Sequence, residues 1–210
     1  MELAKLTAIA LNCTLKKSGG EPSSTDKMID LVAKHLATHD VELTETVRVA
    51  DLNVAPGVKS DEGDGDQWPQ VRKKVLAADI LILGTPVWMG QMSSIAKRVT
   101  ERMDAFLGET DGAGRTPAYG KVAVCAIVGN EDGAHHITAT VFQALNDVGW
   151  TVPAAGACYW VGEAMHKVDF KDLKTVPKVT EDTAKMVASN AAHLAAMLKA
   201  QPYSGTKEST

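Results

Sequence analysis

The sequence predicts an α/β domain with five parallel strands in the order 2-1-3-4-5, held between two layers of helices as a three-layer sandwich. Three observations predict it. Leu6–Leu11, Ile80–Leu83 and Val122–Val128 are nearly continuous apolar runs, the pattern of strands covered on both faces. The run Val41–Val49 mostly alternates apolar and polar residues, as a half-exposed edge strand does. Between these runs, apolar residues recur at helical spacing.

The elements follow in order. After the first strand, Met28, Leu31, Val32 and Leu36 form one helical stripe, preceded by Ser23–Asp26 as a capping box. The second strand is Val41–Val49. A shorter stripe, Val71, Val75 and Leu76, lies behind Asp66 with Pro69 in its first turn. The third strand, Ile80–Leu83, leads to a helix with Ile95, Val99, Met103 and Phe106 inside and Ser93 or Ser94 as its cap. Its charged residues Lys97, Arg98, Glu101 and Arg102 are expected on a solvated face. The fourth strand, Val122–Val128, leads to a helix built on Ile137, Val141, Leu145 and Val148 and stopped by Gly149. The fifth strand is expected within Thr151–Trp160, with Pro153 near its start on an edge, where a missing ladder donor is tolerated. Val187, Ala191, Leu194 and Leu198 mark the last helix.

Strict strand–helix alternation with right-handed crossovers leaves few ways to wind the sheet. The first, third and fourth strands are apolar enough to be central, and the second and fifth suit the edges. That order places the topological switch point, where open α/β sheets bind ligands, between strands one and three.

Composition bounds the function. A net charge of -4 gives no electrostatic case for binding nucleic acid. No apolar run is long enough to span a bilayer, so no membrane partner is expected. The opening Met-Glu-Leu-Ala-Lys-Leu-Thr carries an acid and enters a strand directly, unlike a signal peptide. Cys13, Cys125 and Cys158 are odd in number and lack CxxC spacing, which disfavours disulfides, zinc and clusters and suits a cytoplasmic location. Residues 1–200 are expected to form one domain, and the polar stretch Gln201–Thr210 a disordered tail.

Three loops leave carboxyl ends of strands and enter helices. The first, Asn12–Thr25, gathers Thr14, Ser23, Ser24, Thr25 and two glycines before a helix N-terminus, a ready anion site. Each hydrogen bond to a charged group contributes roughly 1.5–3 kcal/mol, so several hydroxyls and amides suffice for a phosphate without an arginine. Taken singly, Ser23, Ser24 and Thr25 read as caps; the density of donors favours phosphate. Neither GxxxxGK(S/T) nor GxGxxG occurs, which argues against a nucleotide P-loop and a dinucleotide fingerprint.

The second loop, Thr85–Ser93, has Pro86 to stiffen its turn and Gly90 to admit close backbone approach. Trp88 and Met89 offer a flat, polarisable surface to a planar ligand, or alternatively to a neighbouring loop or subunit. In the third loop, Gly129–Ala134, Asn130 and Gly133 suit left-handed backbone, and Glu131 or Asp132 is expected to cap the next helix. His135 and His136 diverge by about 100° on a helix, so no metal site is expected. Asp61–Asp66 lacks the alternating oxygens of a calcium loop and reads as an acidic surface loop. Tyr159–Glu163, an aromatic–glycine cluster, either walls a substrate pocket or seals the fold.

With these three loops in this order, the chain resembles the NADPH-dependent FMN reductase-like group of flavodoxin-like NAD(P)H oxidoreductases over roughly residues 5 to 160. The residues that carry the likeness are Asn12–Lys17 with Ser23–Asp26, Gly84–Gly90 with Ser93, Ser94 and Lys97, and Gly129–Gly133. The resemblance implies a flavodoxin-like fold and bound FMN, with Thr14, Ser24 and Thr25 holding its phosphate and Asn12 and Ser23 also among the cofactor-binding residues. Pro86, Val87, Trp88, Met89 and Gly90, with Gly129, Asn130, Glu131, Asp132 and Gly133, are implied to line the ring. Trp88, Tyr159 and Trp160 are the expected substrate pocket. The first loop is longer than that of electron-carrier flavodoxins and lacks the arginine common in the group.

The implied reaction is ping-pong, with NAD(P)H as co-substrate and a small electron acceptor such as a quinone, nitro compound or free flavin. The flavin carries the chemistry, so no catalytic side chain is required. Two other functions fit the same fold: an electron carrier docking protein partners, and a flavin-free binding domain. Exposed aromatics at the pocket point to a homodimer or higher homo-oligomer.

Overall fold

Leu6–Asn12 (β1), Val41–Arg48 (β2), Ile80–Trp88 (β3), Val122–Val128 (β5) and Ala157–Trp160 (β6) form one parallel sheet in the order β2-β1-β3-β5-β6. The computed structural model describes residues 5–164 and 166–206. A two-residue strand, Gln91–Met92 (β4), folds back antiparallel onto the end of β3. With β4 set aside, this is the predicted order, and β1 and β3 are neighbours at the switch point.

Side-chain alternation divides the core into two layers. Ile9, Leu11, Leu81, Leu83, Cys125 and Ile127 face one way, onto Trp68–Ala77 (α2), Ser94–Met103 (α3) and Ala134–Asp147 (α4). Ala8, Ala10, Ile80, Ile82, Val124 and Ala126 face the other, onto Ser24–Ala37 (α1) and Lys178–Ala200 (α5). Small residues on the second face let α1 and α5 lie close to the sheet and to one another. None of the described helices is long and apolar enough to cross a membrane.

The α1 capping box is complete. The Asp26 N–H donates to Ser23 Oγ at 3.1 Å, and the Ser23 N–H donates back to Asp26 Oδ2 at 3.2 Å. Gly149 follows α4 with φ of 107°, the left-handed region where its lack of a Cβ matters.

Several expectations need correction. β3 continues five residues past its apolar run, because Gly84–Pro86 stay paired with Ala126–Val128 of β5. β6 begins at Ala157; Thr151 makes only an isolated bridge to Val122, and Pro153 lies outside the strand. Arg102 is not solvated but fully buried, paired with Asp66 of the supposed acidic surface loop. Burial alone raises the Asp66 pKa. Arg102 and the N–H groups of Glu62, Trp68 and Ala55 outweigh it and hold the carboxyl well below the usual range. Near the C-terminal end, the Thr206 N–H donates to Ala113 O at 2.9 Å. Tyr203 meets Tyr119 edge to face, and residues 207–210 lie outside the described chain.

Candidate functional site

The carboxyl ends of β1, β3 and β5 bring the three loops to one cavity of about 330 Å³, within the range of small-molecule sites. Two Cβ-free contacts set its shape. A Cβ on Gly84 would lie 2.6 Å from Ile29 Cδ1, so α1 approaches β3 as closely as it does only because that position is bare. A Cβ on Gly129 would lie 2.8 Å from Val87 Cβ, which fixes the third loop against the second.

One end of the cavity is polar. Thr14, Ser23, Ser24 and Thr25 line it where α1 begins, and the first N–H groups of a helix have no intrahelical acceptor. The side chain of Asn12 is buried behind this end, outside the lining. Its Oδ1 accepts from Thr14 N at 3.0 Å and its Nδ2 donates to Asp26, so it shapes the loop from below. Asp26 is also paired with Arg48. The Ser23 hydroxyl donates to Asp26 Oδ2 at 3.0 Å, which commits it to the cap. Ser24 Oγ accepts from Lys171 N at 3.1 Å and keeps its own hydrogen to donate. Lys16 adds a cation to this end.

The other end is flat and apolar. Pro86, Val87 and the half-exposed Trp88 form one side, and Val128, Gly129, Asn130 and Glu131 another. Trp160 and Phe170 close it with ring centroids 5.5 Å apart. Lys27 secures that wall by donating to Leu173 O at 2.8 Å, with its ammonium 5.4 Å from the Phe170 ring. A polar pocket joined to an aromatic slot fits a planar group with a phosphate tail.

Met89, Gly90, Asp132, Gly133 and Tyr159 do not line the cavity. Met89 is 89 % exposed, pointing away from it. Tyr159 precedes Trp160 on β6 and therefore faces the opposite side, where its hydroxyl meets His135 Nε2 at 2.8 Å. Glu131 does not cap α4: its Oε1 accepts from Met89 N at 2.9 Å, and the N-cap is Gly133 without a side-chain bond. Asp132 Oδ1 accepts from Gly133 N at 2.7 Å. His136 pairs with Gln91, away from His135, and no metal-holding cluster occurs among the described residues.

Sequence reasoning missed Leu15, Lys16 and Val128, which flank predicted residues, and Asp169 and Phe170 entirely. The last two come from the irregular segment after β6, which has no periodicity to mark it. Beneath the first loop, burial pushes the Cys13 thiol far above its usual value, so it is no nucleophile.

Residues 7–166 match the family model described as NADPH-dependent FMN reductase, and the chain belongs to that family. Its sheet order and flanking helices are flavodoxin-like. The chain is 34% identical over 202 residues to the divalent metal cation transporter MntH of Mycobacterium bovis, covering 93% of this chain and 29% of that protein. The chain thus spans under a third of that relative. It is 34% identical over 211 residues to 8-demethyl-8-aminoriboflavin-5'-phosphate synthase of Streptomyces davaonensis, covering 94% of this chain and 80% of that one. The crystal structure of RosB with bound intermediate 8-demethyl-8-formylriboflavin-5'-phosphate superposes with a TM-score of 0.84 at 32% identity. That superposition covers 95% of this chain and 82% of the other.

Proposed function

We propose that the protein is an FMN oxidoreductase that takes electrons from NAD(P)H and passes them to a small acceptor such as a quinone, a nitro compound or free flavin. One observation carries this reading: three loops distant in sequence share one cavity that is hydroxyl-rich at α1 and aromatic between Trp88 and Trp160. Bound FMN would supply the hydride chemistry. The chain's residues bind and orient it. Thr14, Ser24, Thr25 and the first N–H groups of α1 would hold the phosphate, with Lys16 offsetting its charge. Pro86–Trp88, Gly129 and Asn130 would hold the ring, while Trp160 and Phe170 exclude water from its far side.

The test is a visible spectrum of the purified protein, followed by anaerobic NADPH. A flavin band that bleaches faster than free FMN under the same conditions is the expected result. Protein that stays colourless after incubation with FMN and desalting would instead indicate a flavin-free binding domain. Bound flavin that NADPH does not reduce faster than background would indicate an electron carrier.

A second reading has a specific basis. The Streptomyces relative is named for synthesis of a modified riboflavin phosphate, and RosB was solved with a flavin phosphate intermediate. The same cavity would then hold FMN as a substrate. Mass spectrometry of the flavin recovered after turnover separates the two: an unchanged mass supports the reductase, and an altered ring the synthase.

A further inference from the structure

The Trp88 wall of the cavity belongs to a turn with little packing of its own. Trp88 and Gln91 are paired across the short β3–β4 hairpin, and Met89 and Gly90 form its tip with φ of 52° and 71°. Left-handed backbone is unfavourable for a methionine, and the Met89 side chain is almost fully exposed. What holds the tip comes from the third loop and the first turn of α4. Met89 N donates to Glu131 Oε1 at 2.9 Å, and Gln91 Oε1 meets His136 Nε2 at 2.9 Å. Gly133 approaches so closely that a Cβ there would lie 2.7 Å from Gly90 Cα.

We propose that Glu131 is a positioning residue: by accepting the Met89 N–H it latches the hairpin tip so that Trp88 stands as a preformed wall of the flavin cavity. The role rests on the flavin reading above. Glu131 lines the same cavity and joins the second loop to the third, so one side chain couples two walls of the slot. Without that acceptor, Met89 is released to right-handed or extended backbone and Trp88 swings with it. The latch needs a carbonyl-type oxygen at the end of this arm and not a negative charge.

The experiment compares Glu131→Ala with Glu131→Gln. FMN is titrated into flavin-stripped protein, and the near-UV circular dichroism of Trp88 is isolated by difference from Trp88→Phe. Glu131→Ala is expected to weaken FMN binding about tenfold or more and to erase the Trp88 band in flavin-free protein; Glu131→Gln stays within about threefold of the parent and keeps the band. An unchanged Trp88 band and unchanged affinity in Glu131→Ala overturn the latch. So does a Glu131→Gln protein as impaired as Glu131→Ala, because charge would then be the operative property. If the parent protein takes up no FMN, the flavin reading fails, and the Trp88 band in flavin-free protein still decides the latch.

Discussion

Arg102 Nη2 donates to Asp66 Oδ2 at 2.7 Å, with side chains 0% and 1% exposed. The rest of the guanidinium is satisfied by Lys59 O and Ala55 O, at 3.0 and 2.8 Å, so this pair staples the long β2–α2 connection to α3. Removing one partner leaves the other as an uncompensated buried charge. Asp66→Ala should therefore lose about 3–5 kcal/mol in urea unfolding. A loss below about 1 kcal/mol would show that water reaches the site.

The same pair sets an acid limit. Asp66 has a folded pKa held below its unfolded value of about 3.9. Its contribution is thus complete above that value and is lost as pH falls below it toward the folded pKa. Unfolding midpoints should drop as pH falls below about 4, and Asp66→Asn should flatten that drop. An equally steep decline in the variant would assign the acid sensitivity to other carboxylates.

Gly84 decides how near α1 lies to the sheet. Its added Cβ would meet Ile29 Cδ1 at 2.6 Å and Thr25 Cγ2 at 2.9 Å. Gly84→Ala is expected to cost about 1–3 kcal/mol of stability by overpacking. It should also displace the start of α1 and weaken FMN binding, and Gly84→Ala/Ile29→Val should recover part of both losses. Full FMN affinity in Gly84→Ala would detach this contact from the site.

Thr14 tests the phosphate end directly. It is buried and lines the cavity, and Thr14→Val keeps its volume while removing the hydroxyl. FMN affinity should fall by about ten- to a hundredfold, while riboflavin, lacking the phosphate, changes little. Equal weakening of both flavins in a fluorescence titration would place the phosphate elsewhere.

The three cysteines should react with thiol reagents only after unfolding. All are buried, and burial raises each thiol; for Cys158, burial first and then the charge of Glu181 push it up to about 12. Rapid labelling of the native protein by a colorimetric disulfide reagent would contradict this packing.

Local pattern sufficed for much of this molecule. The apolar runs at Leu6, Ile80 and Val122, the Ser23–Asp26 cap and the stop at Gly149 are features of neighbouring residues, and periodicity reports them. Strand order then followed from burial, and the three loops from the strand ends. Partner choice did not follow, because it depends on residues far apart in the chain. Asp66 and Arg102 are 36 positions apart, and each alone looks like surface charge. Asp169 and Phe170 reach the cavity from an irregular segment, and Glu131 turns from α4 toward the Met89 N–H. Desolvation and cross-loop geometry, which exist only once the chain is folded, made those decisions.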